Sequence, residues 1–236
     1  MISVILVAAG KGVRMKGNVP KQYMDIAGQP LIAITLNAFD ACPAVDTICL
    51  VLSESDIPYF KQSVLPGLSI RSSLVLAAGG DHRQASVYNG LLKLNDTGGI
   101  VLIHDGVRPF VTLQLIMNCI EGAKKTGACI AGIPAFDTLK RVDSIGKILQ
   151  TVKRDDIILA QTPQAFSFEL IKNAHELCKR DGIRATDDAS IAEYAGIPVT
   201  VVRGLRENIK ITTPEDLKMA RALFSIRNHG QINSLP

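Results

Sequence analysis

Continuous apolar runs rich in β-branched residues recur along the chain at Val4–Ala8, Thr47–Leu52, Ser73–Ala77, Ile100–Ile103 and Cys129–Ile133. Runs of that length without polar alternation mark strands buried on both faces. Between them, apolar residues fall at helical spacing over Pro30–Phe39, Arg83–Leu94 and Leu113–Ala123. Strands alternating with helices predict a Rossmann-like α/β fold, a mainly parallel sheet with helices on both faces. The pattern changes between Phe136 and Gln161, where "DTLKRVDSIGKILQTVKRDD" alternates polar and apolar positions around Asp143-Ser144-Ile145-Gly146. That alternation predicts a protruding β-hairpin arm over about residues 136–158. A two-stranded ribbon is marginal alone in water, so the arm needs a surface to pack on, and a second copy of itself is the natural one. Helical patterns at Phe168–Lys179 and Asp187–Ala195, strands at Val199–Val202 and Asn208–Thr212, and a helix from Pro214 to Phe224 complete a single domain over residues 1–226. The tail, 227–236, is expected to be disordered.

Ligands of parallel sheets bind beyond the carboxyl ends of the strands. The loops that follow the first, third and fourth runs are "AAGKGVRM", "AAGGDHRQAS" and "HDGVRP", each combining glycine with charge, and all three should open on one edge. Gly10 and Gly12 let backbone N–H groups approach an anion closely, and Pro20 fixes the chain just before Lys21. With Arg14 and Lys16 these parts suit a triphosphate; a tight strand-to-helix turn carrying solvated cations is the plain alternative. Two known phosphate cradles fail: the dinucleotide fingerprint needs glycine where Met15 stands, and the Walker loop needs Gly-Lys-Ser/Thr after four spacers. Asp105 directly follows a buried strand, which places it at the ligand edge. One carboxylate together with phosphate oxygens is a usual way to hold Mg²⁺, although a helix cap or a partner for Arg108 would use the same residue. His104 reads as a hydrogen-bonded structural histidine, and His82, His175 and His229 form no constellation with it. No Ser-His-Asp, Cys-His or paired-glutamate arrangement stands out. A reaction whose nucleophile is already ionised needs positioning and charge neutralisation instead, and transfer to a phosphate oxygen is such a reaction.

Composition narrows the partners. At 236 residues and 47% hydrophobic content, one large domain with a well-buried core is the default. The net charge of +4 is small and scattered, so neither nucleic acid nor a membrane surface is expected as partner. The five cysteines, Cys42, Cys49, Cys119, Cys129 and Cys178, lie mostly in apolar segments without paired spacing and read as reduced core thiols of a cytoplasmic protein. The N-terminal "MISVILVAAG" is too short an apolar stretch for a signal peptide or a membrane span.

The set "AAGKGVRM…PKQY", "GGDHRQASV", "HDGVRPF", "DTLKR", "TPQAF", "TDDAS" and "NIKITTPEDL", in that order from Ile2 to about Phe224, resembles the 2-C-methyl-D-erythritol 4-phosphate cytidylyltransferases of the non-mevalonate isoprenoid pathway. The resemblance implies transfer of CMP from CTP to methylerythritol phosphate with release of pyrophosphate, Mg²⁺ as cofactor, and a homodimer joined through the arm. By position it implies Arg14, Lys21 and Lys210 as the catalytic cations on the phosphates, with Gly12 in the same nucleotide loop. It places Ala8, Ala9, Gly10, Gly80, Asp81 and Ser86 in the cytosine pocket and Asp105 on the metal. Asp105, Arg108, Thr138, Arg154 and Thr162 fall on the acceptor side, Thr138 and Arg154 arriving on the arm of the other subunit. One departure is Gly106-Val107, where the family commonly has Ala-Ala or Ala-Val; it puts local backbone rigidity in doubt. A ribitol 5-phosphate cytidylyltransferase is the nearest rival, but the first loop of that branch usually begins Ala-Gly-Gly, against Ala8-Ala9-Gly10 here. A dinucleotide-dependent oxidoreductase is weakened by Met15 and the basic loop, and a catalytically silent nucleotide-binding regulator is the remaining alternative.

Overall fold

Strand β1 (Ile2–Val7) is buried almost throughout because sheet partners flank it on both sides and helices cover both its faces. The computed structural model describes residues 1–10, 20–94 and 98–232, with side chains in the last helix as far as Arg227. In chain order the remaining principal elements are α1 (Leu31–Asp40), β2 (Thr47–Leu52), β3 (Ser73–Ala78), α2 (Arg83–Leu94), β4 (Ile100–Asp105), α3 (Leu113–Thr126), β5 (Ala128–Pro134), β6 (Leu139–Val142), β7 (Ile148–Val152), β8 (Ile158–Ser167), α4 (Phe168–Arg180), α5 (Asp188–Tyr194), β9 (Thr200–Arg203) and α6 (Pro214–Ile232). Seven strands form one sheet in the order β9-β5-β8-β4-β1-β2-β3. All neighbours are parallel except β8, which runs antiparallel to both β4 and β5.

Strand alternation divides the core in two. Val4, Leu6, Ile48, Leu50 and Leu102 point to one face, against Leu36 and Phe39 of α1 and Ile116 and Ile120 of α3. Ile5, Cys49, Val51, Val101 and Ile103 point to the other, against Val87 and Leu91 of α2 and Ile171 and Ala174 of α4. Each such side chain, fully buried, contributes about 1.5–3 kcal/mol, so both faces of the sheet are secured by packing. Helix ends follow local chemistry: the Thr112 hydroxyl accepts from Leu115 N–H at the start of α3, and Gly127 closes that helix at φ 83°. All five cysteines are free and buried.

Three expectations change. The ten-residue strand β8 was not anticipated; it fills the gap between β4 and β5 and supplies buried polar residues Thr162 and Gln164. Asn208–Thr212 forms no strand, since β4 is already flanked on both edges, and the segment is tied by single bonds such as Ile211 N–H to Val107 O at 3.0 Å. The closing helix continues to Ile232 instead of ending at Phe224, so 227–232 are helical and not a disordered tail. The hairpin forms as expected: β6 and β7 pair antiparallel, Gly146 turns at φ 84°, and Asp143 Oδ1 accepts from the N–H groups of Ile145 and Lys147.

Candidate active site

The strand order reverses between β1 and β4, since the chain adds β2 and β3 on one side of β1 and then returns to the other. A crevice at the carboxyl ends of strands is expected at such a reversal. Register sets Val7 beside Asp105, and the backbone pairing extends just past the strands through Ala8 N–H to Val51 O (2.8 Å), Gly79 N–H to Leu52 O (2.7 Å) and Gly106 N–H to Val7 O (2.9 Å). The three loops are thereby fixed relative to one another. Gly79 makes their packing possible: a Cβ there would lie 2.3 Å from the Ala9 methyl. The result is a cavity of about 930 Å³, whose walls include Ala8, Ala9, Gly10, Lys21, Gly80, Asp81, Ser86, Asp105 and Lys210. Nine of the expected site residues therefore stand in the wall of one cleft, and the three glycine-bearing loops share an edge as anticipated.

Asp105 lies at the centre of the charge. Its Oδ1 meets Arg83 Nε at 3.2 Å, and its Oδ2 meets Lys210 Nζ at 2.9 Å and Arg108 Nε at 3.3 Å. Burial alone would raise its pKa, but Arg83, Lys210 and Arg108 hold the carboxyl well below the usual carboxylate range. Three cations thus meet at this carboxylate, and the cleft wall as a whole sets Lys21, Arg83 and Lys210 beside Glu54, Asp81 and Asp105. His104 sits beneath: one ring nitrogen bonds Arg108 O at 3.1 Å and the other the Thr162 hydroxyl at 3.0 Å. Burial pushes its pKa down to about 4, so it is neutral at pH 7 and structural, as read from the sequence.

Lys21 opens a 3₁₀ turn, Lys21–Tyr23, after Pro20. Its neighbours face the protein: Gln22 Nε2 donates to Asp56 Oδ2 at 2.8 Å, and the Tyr23 ring meets Tyr59 edge-on at 4.8 Å. With those two anchored, the lysine is turned to the cleft, its Cε 4.0 Å from the Cβ position of Gly10. Gly12 and Arg14 lie outside the described residues.

Other expected residues stand around the cleft. Arg108 lies behind Asp105, its Nη1 donating to Asn208 O at 2.8 Å. The Thr162 hydroxyl accepts from Asp105 N–H at 3.1 Å, so it steadies the carboxylate from below. The Ser86 hydroxyl accepts from Gly80 N–H and donates to His82 O, both at 3.1 Å, holding the Gly80–Asp81 loop closed. Thr138 and Arg154 lie exposed on the arm and do not line the cleft of their own chain, although Arg154 Nη1 donates to the Phe136 carbonyl at the arm's root. Arg83, Asn208 and the Ser53–Ser55 loop were missed. The loop could have been found by extending the carboxyl-edge rule to the second strand. Arg83 offered only its place in "GGDHRQAS".

Gly106, the departure in the fourth-strand motif, is tightly enclosed. A Cβ there would lie 2.8 Å from Ile32 Cδ1, 3.0 Å from Ala8 Cβ and 3.2 Å from Val7 O. Gly106→Ala is expected to lower unfolding free energy by about 1 kcal/mol, as overpacking of about 1–3 kcal/mol outweighs a gain of about 0.4–1 kcal/mol from a less free unfolded chain. Ile32→Val removes the nearest carbon, so the double variant should lose less than the sum of the two singles by about 0.5 kcal/mol or more. Urea unfolding of the four proteins measures this, and strict additivity would show that the backbone, not Ile32, takes up the methyl.

Among the described residues no group of three or more His, Cys, Asp or Glu could enclose a metal ion. Mg²⁺ typically takes one or two carboxylates and completes its shell with water and substrate phosphates. Asp105, at the end of β4, fits an ion that arrives with a triphosphate, and does not fit a permanently caged one.

The family model described as "IspD: 2-C-methyl-D-erythritol 4-phosphate cytidylyltransferase" matches residues 2–226. The chain belongs to this family. Curated relatives of that name include those of Syntrophus aciditrophicus, 43% identical over 98% of both chains, and Pelotomaculum thermopropionicum, 41% identical over 96% of this chain and 95% of the relative. Among solved structures, the 4-diphosphocytidyl-2C-methyl-D-erythritol synthase of Anaerococcus prevotii superposes with a TM-score of 0.83 at 32% identity, covering 95% of this chain and 98% of that one. The bifunctional IspDF of Campylobacter jejuni matches at 27% identity and a TM-score of 0.75 over 92% of this chain and 53% of its own.

Proposed function

We propose that this cleft carries out the family's reaction, the transfer of CMP from CTP to 2-C-methyl-D-erythritol 4-phosphate, giving 4-diphosphocytidyl-2-C-methyl-D-erythritol and pyrophosphate. The observation that carries the reading is the convergence of Lys21, Lys210 and Asp105 on one crevice at the strand reversal. An acceptor phosphate oxygen attacks the α-phosphorus in line, a new P–O bond forms, and the bond to the β-phosphate breaks with its electron pair leaving on pyrophosphate. The phosphate monoester is mostly a dianion at neutral pH, its second pKa being about 6, so no side chain has to remove a proton. The work left to the protein is alignment and charge stabilisation. Lys21 and Lys210 grip the triphosphate and stabilise charge on the leaving group. Ala8, Ala9, Gly10 and the Gly80–Asp81 loop braced by Ser86 enclose the base.

Asp105 would hold Mg²⁺ together with the phosphates; when bound, that ion neutralises phosphate charge and orients the α-phosphate. Oδ2 is the oxygen facing Lys210, and that lysine is the contact to be exchanged when triphosphate enters. Asp105→Asn should raise the Mg²⁺ concentration needed for half-maximal rate by about tenfold or more, because an amide is a poorer ligand for a hard cation. An unchanged Mg²⁺ titration would reduce Asp105 to a structural partner of the three cations.

The acceptor phosphate is assigned to Arg154 and Thr138 of a second subunit's arm, with Arg108 and Thr162 supporting the site from within. The arm supports that reading by its surface: Ile145 is 86% exposed and Ile148 and Leu149 are each 58% exposed. Covering each of these would contribute up to about 1.5–3 kcal/mol. Pyrophosphate release from CTP, measured with methylerythritol phosphate and with ribitol 5-phosphate in parallel, tests the substrate. Release with the first acceptor is expected, and equal or greater release with ribitol 5-phosphate would overturn the assignment.

A further inference from the structure

We propose that Asp188 and His175 are positioning residues for the cytidylyl transfer, holding Arg83 and through it the Asp105 carboxylate although neither lines the cleft. The inference rests on Asp105 being the working carboxylate of that site. The contacts form an unbroken chain from the interior to the cleft. His175 Nε2 meets Asp188 Oδ1 at 3.3 Å, Asp188 Oδ2 meets Arg83 Nη1 at 2.7 Å, and Arg83 Nε meets Asp105 Oδ1 at 3.2 Å. Each link uses a separate atom. A planar guanidinium held at two of its nitrogens has its orientation set, which a single contact would not achieve.

The inner end is fixed to the sheet. Gln164 of β8 accepts from the N–H groups of Asp188 and Ala189, both at 3.0 Å, and its amide donates to Asp187 Oδ2 at 2.8 Å. Asp187 in turn caps α5 by accepting from Ser190 N–H at 3.0 Å. His175 is held on α4, stacked on the Tyr88 ring at 6.2 Å, and must carry hydrogen on Nε2 to bond a carboxylate. Asp188 and His175 are fully buried, so the inner links are shielded from water while Arg83 reaches the cleft wall.

Asp105 therefore has two unlike sides. Oδ1 faces Arg83, which is tied to the core. Oδ2 faces Lys210, whose side chain is 38% exposed and lies on a segment outside the sheet. When phosphates draw Lys210 away, Arg83 on Oδ1, with Arg108 still on Oδ2, keeps the carboxylate aimed. The motifs "TPQAF" and "TDDAS" meet at this support, which gives both a role besides touching substrate.

A pair of histidine variants separates positioning from packing. His175→Phe keeps a ring against Tyr88 but removes the donor to Asp188; His175→Gln keeps an N–H donor and removes the ring. Positioning predicts that His175→Phe loses about tenfold in kcat with KM for CTP within about twofold, while His175→Gln stays within about threefold of wild type. Asp188→Asn, assayed well below its own Tm, should lose up to about 10²-fold in kcat. A second readout needs no substrate or metal. In protein labelled with ¹⁵N-arginine, the Arg83 Nε–H signal, identified by its loss in Arg83→Lys, should exchange with water faster in His175→Phe than in wild type or His175→Gln. Retained kcat in His175→Phe, or losses that follow the ring instead of the donor, overturns the proposal. Wild-type turnover with CTP and methylerythritol phosphate, run alongside, tests the underlying reaction separately from the relay.

Discussion

Lys21→Ala will lower turnover by about 10²–10³-fold, since it removes a preorganised cation from charge that develops on the phosphates. The structure separates this loss from misfolding. The turn that carries Lys21 is held by its neighbours, through Gln22 on Asp56 and Tyr23 against Tyr59, and by Pro20 before it. Deleting the lysine side chain leaves those contacts intact, so Tm should move little. Lys210→Ala is expected to cost a similar factor, but it also strips one of the three cations from Asp105. Its CTP affinity should therefore depend differently on Mg²⁺, whereas that of Lys21→Ala should follow wild type. Steady-state kinetics with Mg²⁺ and CTP varied together distinguish the two lysines, and near-normal turnover in Lys21→Ala with full metal dependence would take Lys21 out of the mechanism.

Mixing two inactive proteins should restore activity. If Arg154 reaches the acceptor phosphate of the neighbouring subunit, Arg154→Ala will weaken binding of methylerythritol phosphate far more than of CTP, because it removes a guanidinium–phosphate contact and leaves the base pocket untouched. In a heterodimer of Arg154→Ala and Lys21→Ala, one site draws an intact Lys21 from the first chain and an intact arm from the second. Random exchange makes half the dimers mixed, each with one sound site of two, so recovery should approach about a quarter of wild-type activity. Arg154 is exposed and absent from its own cleft wall, as this arrangement requires. Exchange is verified by native mass spectrometry; a mixture that exchanges and stays inactive would place the whole site within one chain.

Local pattern carried much of the fold. The expected Arg83–Leu94 and Thr47–Leu52 elements coincide with α2 and β2, and Leu113–Ala123 falls short of α3 by one turn. These segments are periodic and are punctuated by their own residues. Strand β8 was illegible because Gln161, Pro163 and Gln164 interrupt its apolar run, and what makes it a strand is the vacancy between β4 and β5, a property of the assembled sheet. The site shows the same division. Glycines and charges next to strand ends identified the three loops, Asp105 and the edge they share, while Ala8 and Gly80 were named only through the family resemblance. Arg83 was missed because its partner Asp188 stands 105 residues away, and nothing local to either residue signals the pair. Asn208–Thr212 misled for the complementary reason: its composition suits a strand, but it lies next to the end of β4, which already has a partner on each side.

The late insertion of β8 has a consequence for synthesis. Residues of β4 and β5 leave the ribosome well before their shared antiparallel partner, and until Ile158–Ser167 follows, each presents an unpaired edge in what becomes the interior of the sheet. Unpaired apolar edges are templates for association between chains. The arm, made of short strands with a self-sufficient turn, is translated within that interval. The nascent enzyme is thus most exposed to aggregation during the stretch in which its arm is made, and the strand that ends the exposure is the one that brings Thr162 beneath Asp105 and Gln164 against Asp188.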